Sequence, residues 1–102
     1  MKRVSFDVDG VLTITKGRSL ARKRINAGDD VWIVTARNQS DDNSAYAIAE
    51  KLGIRKSHVV FTNGKDKWKF IQKYDIAVHY DNNSEQLDKI ERNTKAIGVL
   101  IR

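Results

Sequence analysis

The residues best suited to chemistry begin directly after the first apolar run, in the segment Asp7-Val8-Asp9-Gly10. Two carboxylates two residues apart point the same way if strand geometry persists, and a glycine then lets the backbone turn sharply. Like charges so close are costly unless a cation compensates them. Mg²⁺ suits this place because it prefers oxygen ligands and keeps several waters and a substrate phosphate. Either aspartate alone would be read as a turn cap, but the pair favours a magnesium site.

Two further segments offer groups that bind phosphate. In Thr35-Ala36-Arg37 the hydroxyl and a neighbouring backbone N–H can donate to phosphoryl oxygens, although threonine is common at strand ends. Lys67 lies near the start of a predicted helix and could neutralise both a nucleophile and a phosphoryl group. A surface position is the usual reading of a lysine in a chain with 19 basic residues, and Lys65 competes for the same role.

The fourth segment, His79-Tyr80-Asp81-Asn82-Asn83, supplies another acid. Asp81 would be a further oxygen ligand for the same ion if the first and fourth strands are neighbours. Its alternative role is a helix cap, which Ser84 can also provide. His79 reads as a strand histidine with a satisfied hydrogen bond and His58 as a surface or strand-end residue, so neither receives a function.

The elements that must position these groups are five apolar runs of strand length, alternating with helical patterns. The runs are Arg3 to Val8, Asp30 to Thr35, His58 to Phe61, Ile76 to Tyr80 and Ala96 to Ile101. Two of them are nearly continuous in apolar residues, as strands covered on both faces of a parallel sheet are. The pattern predicts an α/β fold, a three-layer α/β/α sandwich with a mostly parallel five-stranded sheet, in which ligands bind at the carboxyl ends of the strands.

The helices have recognisable ends. Ser19 is predicted to cap a helix that stops at Gly28; Ser44 or Asp42 to open one with Gly53 past its end; and Ser84 to cap the last. The segment between Asp66 and Tyr74 is predicted to be a helix whose buried stripe is Trp68, Ile71 and Tyr74.

Length and composition limit the number of domains, the cellular location and the class of partner. With 102 residues and 40% hydrophobic residues, the chain is expected to form one domain spanning 1–102. No cysteine is present, which excludes disulfides and thiolate sites, and no apolar run is long enough for a membrane span. We therefore expect a cytoplasmic protein with no membrane partner. A net charge of +6 favours nucleic acid or a phosphorylated substrate as partner.

Taken in order, the four segments resemble the motifs of the haloacid dehalogenase superfamily of phosphohydrolases. The resemblance implies a Rossmann-like core in which Asp7 is the nucleophile that forms an aspartyl-phosphate and Asp9 is the general acid and base. It implies that Asp7, the main-chain carbonyl of Asp9, and Asp81 hold Mg²⁺. In the superfamily, the members with an aspartate at the place of Asp9 are mostly phosphatases or phosphotransferases, whereas dehalogenases lack it. The resemblance therefore implies hydrolysis of a phosphate ester.

The same resemblance implies that Thr35 and Lys67 bind the transferring phosphoryl group. With Gly10, Ala36 and Arg37 they make up the predicted substrate-binding set. Many relatives carry a second acid in the fourth motif, where this chain has Asn82 and, later, Glu85. Which of these two takes part in the metal shell is left open.

Larger relatives insert a cap domain, for which this chain has no room. Leu12 to Ser19 is predicted to be a short loop and Val60 to Lys65 is equally short, so the site is expected to be open. An open site suits a bulky or polyanionic substrate, or a neighbouring subunit acting as a lid. Basic residues gather after the first motif, where a solvated helix face is an equally good reading; they are Lys16, Arg18, Arg22, Lys23 and Arg24.

Two narrower resemblances conflict. The arrangement of Thr35-Ala36-Arg37, then a helix, then Lys67 to Asp81 looks like the phosphatase domain of polynucleotide kinase-phosphatases, which remove terminal phosphates from nucleic acid. The run from Asp7 to Thr13 looks like the uncapped, tetrameric sugar-acid phosphatases of lipopolysaccharide synthesis. The substrate and the choice between monomer and homo-oligomer stay open. The sequence favours a Mg²⁺-dependent phosphatase, and the alternative is a catalytically silent basic module that binds nucleic acid.

Overall fold

The structure, a computed structural model, describes residues 2–41 and 43–102, in which five β-strands alternate with four α-helices. The elements are β1 (Arg3–Phe6), α1 (Thr15–Asn26), β2 (Asp30–Thr35), α2 (Ser44–Leu52), β3 (Val59–Phe61), α3 (Trp68–Lys73), β4 (Val78–Asp81), α4 (Ser84–Asn93) and β5 (Ile97–Leu100). Single 3₁₀ turns at Gln39–Asp41 and Lys56–His58 precede α2 and β3.

The strands form one sheet in the order β3-β2-β1-β4-β5, and each neighbouring pair is parallel. The predicted α/β sandwich is therefore confirmed, with a sheet that is parallel throughout. The chain moves from β1 outward to β3 and then returns to the other side of β1 for β4 and β5. Ligands of such sheets bind where the strand order reverses, which here is at the carboxyl ends of β1 and β4.

Both faces of the sheet are covered, as the continuous apolar strands require. Along β2, Val31 and Ile33 point into the core beneath α1 and α2, while Trp32 and Val34 point into the core beneath α3 and α4. Each fully buried aliphatic or aromatic side chain stabilises the fold by about 1.5–3 kcal/mol. Because its side chains alternate between the two cores, β2 is anchored by packing on both faces of the sheet.

The predicted strands are present, and β2 has the predicted bounds. β1 ends at Phe6, two residues earlier than expected, because the chain turns sharply through Val8–Leu12, with Gly10 at a φ of +74°. β3 begins one residue late because His58 ends a 3₁₀ turn. β4 and β5 are also displaced by one or two residues from the predicted bounds.

The predicted start of the first helix is wrong. α1 begins at Thr15, so Ser19 lies inside the helix and most of the predicted loop from Leu12 is helical. The residue before the helix, Ile14, makes no side-chain cap. The start depends on packing instead: a Cβ atom at Gly17 would lie 1.8 Å from the carbonyl oxygen of Val11, so glycine lets the first turn rest on the preceding turn.

The other helix ends follow the prediction more closely. α4 is capped by Asn83 rather than Ser84, since Asn83 Oδ1 accepts hydrogen bonds from the backbone N–H groups of Glu85 and Gln86. α2 begins at Ser44, and Asp42 lies outside the described residues. Gly53 ends α2 in the left-handed conformation. α3 lies between Asp66 and Tyr74 and buries Ile71, with Trp68 and Tyr74 packed beside it.

The two places that the resemblance to the superfamily marks as possible cap positions are short segments, residues 7–14 before α1 and 62–67 before α3. None of the helices in the described residues combines the length and the apolar character that crossing a bilayer requires.

We expect Gly17→Ala to destabilise the protein by about 1–3 kcal/mol, because the new methyl group overlaps a backbone carbonyl that cannot move without shifting the turn. Glycine to alanine in a helix normally stabilises by about 1 kcal/mol. Urea unfolding measures the change. The control is Ser19→Ala on the exposed face of the same helix, where a gain of a few tenths of a kcal/mol is expected. A stabilised Gly17→Ala would contradict the packing described.

Candidate active site

A cleft of about 340 Å³ opens at the carboxyl ends of β1 and β4. It is lined by Asp7, Asp9, Ala36, Gly64, Lys65, Lys67, Asp81, Asn82, Asn83 and Gln86. Most of the lining residues lie in the segments that follow the first four strands, whereas Asp81 ends β4 and Gln86 lies in the first turn of α4. The sheet topology therefore brings distant acids, amides and a lysine into one place.

The centre of the cleft is a buried cluster of two carboxylates and one ammonium group. Lys67 Nζ lies 3.1 Å from Asp7 Oδ1 and 2.5 Å from Asp81 Oδ2. The side chains of Lys67 and Asp81 are 4% and 0% exposed. One cation thus contacts both acids, one carried by β4 and one that directly follows β1.

Asp81 is held by further donors. His79 Nε2 lies 2.8 Å from Asp81 Oδ2, and the backbone N–H of Asn83 donates to Asp81 Oδ1 at 3.0 Å. Burial alone would raise the pKa of Asp81, but the hydrogen bond from His79 and the charge of Lys67 outweigh burial and hold that pKa well below its usual range. Asp81 is therefore an anion at neutral pH.

His79 is a site residue to which the sequence analysis gave no role. It is fully buried, burial lowers its pKa, and Ser5 Oγ lies 2.6 Å from its Nδ1. Because the ionised Asp81 can only accept, we assign the ring proton to Nε2, and Nδ1 then accepts the Ser5 hydroxyl proton. The signal was present: His79 precedes Asp81 by two residues and so shares its face of the strand, and it is polar within a buried run.

Asp7 shows the opposite tendency in pKa. Burial raises the pKa of Asp7 to about 6, the charge of Lys67 opposes this rise, and the negative charge of Asp81 adds to it. With His79 neutral, the cluster of Asp7, Asp81 and Lys67 carries one net negative charge when Asp7 is ionised. The site therefore has an unmet demand for positive charge.

The strand geometry that would align Asp9 with Asp7 does not persist, because β1 ends at Phe6, although both residues line the cleft. The carboxylate oxygens of Asp9 accept two hydrogen bonds from Arg37, at 2.9 Å from Nε and 2.6 Å from Nη2. Arg37 also donates to Ser44 Oγ at 2.5 Å. The strand ends at Phe6, so the turn carries the Asp9 side chain toward the end of β2, where it is 64% exposed.

The other residues predicted to bind substrate differ in their exposure to the cleft. Ala36 lines the cleft, whereas Thr35 is fully buried and its Oγ1 accepts the backbone N–H of Arg37 at 3.3 Å. Gly10 lies against Asn82, whose Nδ2 would be 2.1 Å from a Cβ atom there. Glycine is thus required at this position both for its backbone angle and for space.

The two choices left open by the sequence concern lysine and the second acid. Lys65 is exposed at the edge of the cleft, whereas Lys67 contacts both buried carboxylates. Glu85 pairs with Lys89 at 3.6 Å, and its carboxylate is 77% exposed. Asn82 lines the cleft, and Glu85 is not among the lining residues.

The donor chemistry suits a divalent cation, although the described residues contain no cluster of three His, Asp or Glu ready to hold one. Asp81 Oδ2 already accepts from two partners, and Oδ1 accepts one, which leaves it a lone pair. Asp7 carries the excess negative charge. Mg²⁺ binds through one or two carboxylates and keeps its waters, so Asp7 and Asp81 are sufficient in kind and number.

Comparison with known proteins identifies the fold. No family model and no curated protein matches this sequence. A solved structure from Vibrio cholerae, described as a "putative 3-deoxy-D-manno-octulosonate 8-phosphate phosphatase", matches with a TM-score of 0.58 and 20% identity, over 88% of this chain and 62% of that one. That protein belongs to the haloacid dehalogenase superfamily. The present chain has the haloacid dehalogenase fold. It spans less than two thirds of the length of the matched structure.

The buried charge of Asp7 predicts a pH-dependent gain in stability on its removal. Because the folded protein binds the Asp7 proton more tightly than the unfolded chain, wild-type stability falls as the pH rises between about 4 and about 6. Asp7→Asn has no such loss. We expect it to be more stable than the wild type by about 1–3 kcal/mol at pH 8 and nearly equal at pH 4.

Urea unfolding in EDTA at the two pH values measures this difference. The control is Asp88→Asn, an exposed acid paired with Arg92 on α4, which is expected to change the unfolding free energy by less than about 0.5 kcal/mol at either pH. An Asp7→Asn protein less stable than the wild type at pH 8 would show that Asp7 stabilises the fold.

Proposed function

We propose that the protein is a Mg²⁺-dependent phosphomonoester hydrolase that acts through an aspartyl-phosphate on Asp7. The observation that carries the proposal is the contact of one buried cation, the Lys67 ammonium group, with both Asp7 and Asp81 at the reversal point of a haloacid dehalogenase fold. Phosphoryl transfer needs concentrated positive charge around an in-line nucleophile, because negative charge spreads over the phosphoryl oxygens.

Each residue has a role in this chemistry. Asp7 attacks phosphorus, and the bond from phosphorus to the ester oxygen breaks as Asp9 gives its proton to the leaving alcohol. Asp9 then takes a proton from the water that hydrolyses the aspartyl-phosphate. Lys67 neutralises the nucleophile and the phosphoryl oxygens, and His79 holds Asp81 in place.

Mg²⁺ would be held by Asp7, Asp81 and the main-chain carbonyl of Asp9. When bound, it supplies Lewis-acid stabilisation of the charge that develops on the phosphoryl oxygens. It would also balance the net negative charge of the cluster, which Lys67 alone leaves unmatched.

The substrate that we propose is bulky or polyanionic, because short segments replace the cap and leave the cleft open. The matched structure is described as a phosphatase of a sugar-acid phosphate, a smaller substrate of the same reaction class. The absence of cysteine agrees with a reducing compartment, and the cytoplasm is the proposed location.

A silent basic binding module is the second candidate. It is favoured by the state of Asp9, whose carboxylate already accepts two hydrogen bonds from Arg37. In this reading the acids and Lys67 only stabilise the loops, and binding of a polyanion occurs with no turnover.

Hydrolysis of a chromogenic phosphate ester, with Mg²⁺ and with EDTA, tests the enzyme. We expect Mg²⁺-dependent turnover that falls at least about 1000-fold in Asp7→Asn, because the nucleophile is lost. Asp88→Asn is the matched control for loss of one acid and should keep the wild-type rate. Equal rates for the wild type and Asp7→Asn would remove the proposed function and leave the binding module.

The pairing of Asp9 with Arg37 predicts the effect of Arg37→Lys. Lysine keeps the charge but cannot form two parallel hydrogen bonds, so Asp9 is less well oriented. We expect kcat to fall about tenfold to a hundredfold with little change in KM, as measured on the same ester. A raised KM with unchanged kcat would instead identify Arg37 as a substrate-binding residue that does not orient Asp9.

A further inference from the structure

The positive charge of the protein is concentrated on α1. This 12-residue helix carries five Lys and Arg residues and no acid. The whole chain has 19 basic and 13 acidic residues, so the rest of the chain has 14 against 13 and is nearly neutral. Five of the six net positive charges therefore lie on one helix.

The helices differ in how their charges are balanced. On α4, Glu85 lies 3.6 Å from Lys89 and Asp88 lies 3.0 Å from Arg92, both at i,i+4 spacing. On α1, Arg24 pairs with Asp29, and within residues 2–41 and 43–102 no other cation of this helix has an acid partner. A face built only for solubility would be expected to resemble α4.

Lys23 and Arg24 lie in the last turn of α1, where cations are favourable, but the placing of the other cations is unfavourable for the helix itself. Lys16 and Arg18 lie in the first turn, where the helix macrodipole disfavours cations. Arg18 and Arg22 are four residues apart, and like charges at this spacing repel each other. A bound polyanion would offset both costs.

Two of these cations line a groove between α1 and α2. Its volume is about 460 Å³. The lining residues, three of them cationic and none acidic, are Leu12, Thr13, Arg18, Arg22, Ile48, Lys51 and Leu52. Arg18 is held in position, since its Nη1 donates to the Leu12 carbonyl at 3.1 Å and its Nη2 to Thr15 Oγ1 at 3.3 Å.

The groove is joined to the catalytic cleft by a single turn. Val8–Leu12 contributes Asp9 to the cleft and Leu12 to the groove, and Thr13 Oγ1 accepts the backbone N–H of Gly10 at 2.9 Å. The groove and the cleft therefore share one turn as a wall, and a chain-like anion that follows this turn would contact both. A small phosphate ester has only one charged group and would not occupy both places.

We propose that this groove binds the phosphodiester backbone of a single-stranded nucleic acid whose terminal phosphate lies in the cleft at Asp7. The part concerning the terminal phosphate rests on the proposed function. A single strand can bend from the groove into the cleft, whereas duplex DNA, with a persistence length of about 150 base pairs, is too stiff to follow so short a turn. Arg18 and Arg22 lie about 6 Å apart along the helix axis and can contact different phosphates of that strand.

Binding is measured by fluorescence anisotropy with a labelled 12-nucleotide oligothymidylate in EDTA, between 50 and 200 mM KCl. Three phosphate contacts predict a slope of about −2 for log K against log salt concentration. In Arg22→Ala/Lys51→Ala we expect the affinity at 50 mM KCl to fall at least tenfold. The slope should become shallower, between zero and about −1, because one phosphate contact remains. The control Lys73→Ala/Lys95→Ala loses the same charge outside the groove and should bind as the wild type does.

Equal losses in the two double variants would overturn the groove, because net charge alone would then explain binding. So would a slope near zero, or an acidic phosphopeptide of equal charge that binds as tightly as the oligonucleotide. With Mg²⁺, the ratio of kcat/KM for 3′- or 5′-phosphorylated oligonucleotide to that for a small ester should fall at least tenfold in Arg22→Ala/Lys51→Ala.

The two proposals fail separately. Groove-dependent binding without hydrolysis of any ester would reject the phosphatase and support the groove. Hydrolysis of the small ester, with oligonucleotide binding that the groove substitutions do not change, would support the phosphatase and reject the groove.

Discussion

The organisation of this protein depends on a buried lysine held between two carboxylates. Lys67 is almost inaccessible to solvent, and removing three charged groups from water is costly unless each meets an opposite charge. Asp81 meets that condition fully, with Lys67, His79 and a backbone N–H as donors. Asp7 meets it only partly, which is why burial dominates its pKa. The charge of Asp81 is therefore fully compensated, whereas the charge of Asp7 would be stabilised by a further cation.

The short turn after β1 places two acids that are close in sequence in different environments. Asp7 lies at the end of the strand and enters the buried cluster, whereas Asp9 lies after the chain has turned and pairs with Arg37 at the surface. Gly10 makes this turn possible, because its backbone angle and the proximity of Asn82 exclude a side chain. The proposed function uses this difference in environment, with Asp7 as the buried nucleophile and Asp9 as the accessible proton carrier.

Sequence reasoning succeeded where a residue pattern had one physical interpretation. The continuous apolar run of β2 can be buried on both faces only in a covered parallel sheet, and its bounds were predicted correctly. The start of α1 was not, because it depends on contact between Gly17 and a backbone carbonyl rather than on a capping side chain. The direction of Asp9 depends on where β1 ends and on Arg37, which lies 28 residues later. The spacing of His79 and Asp81 is visible in the sequence, but the hydrogen bond from Ser5 depends on which strand lies beside β4 and in which register.

That cross-strand pair also fixes how β1 and β4 are aligned. Ser5 and His79 are matched in the parallel register, and both are fully buried. Sliding one strand by a single residue would turn each polar group toward an apolar neighbour and break the hydrogen bond between Ser5 and His79. The same register places Asp7, after β1, level with Asp81 at the end of β4. The buried hydrogen bond between Ser5 and His79 thus helps to determine how far apart Asp7 and Asp81 lie.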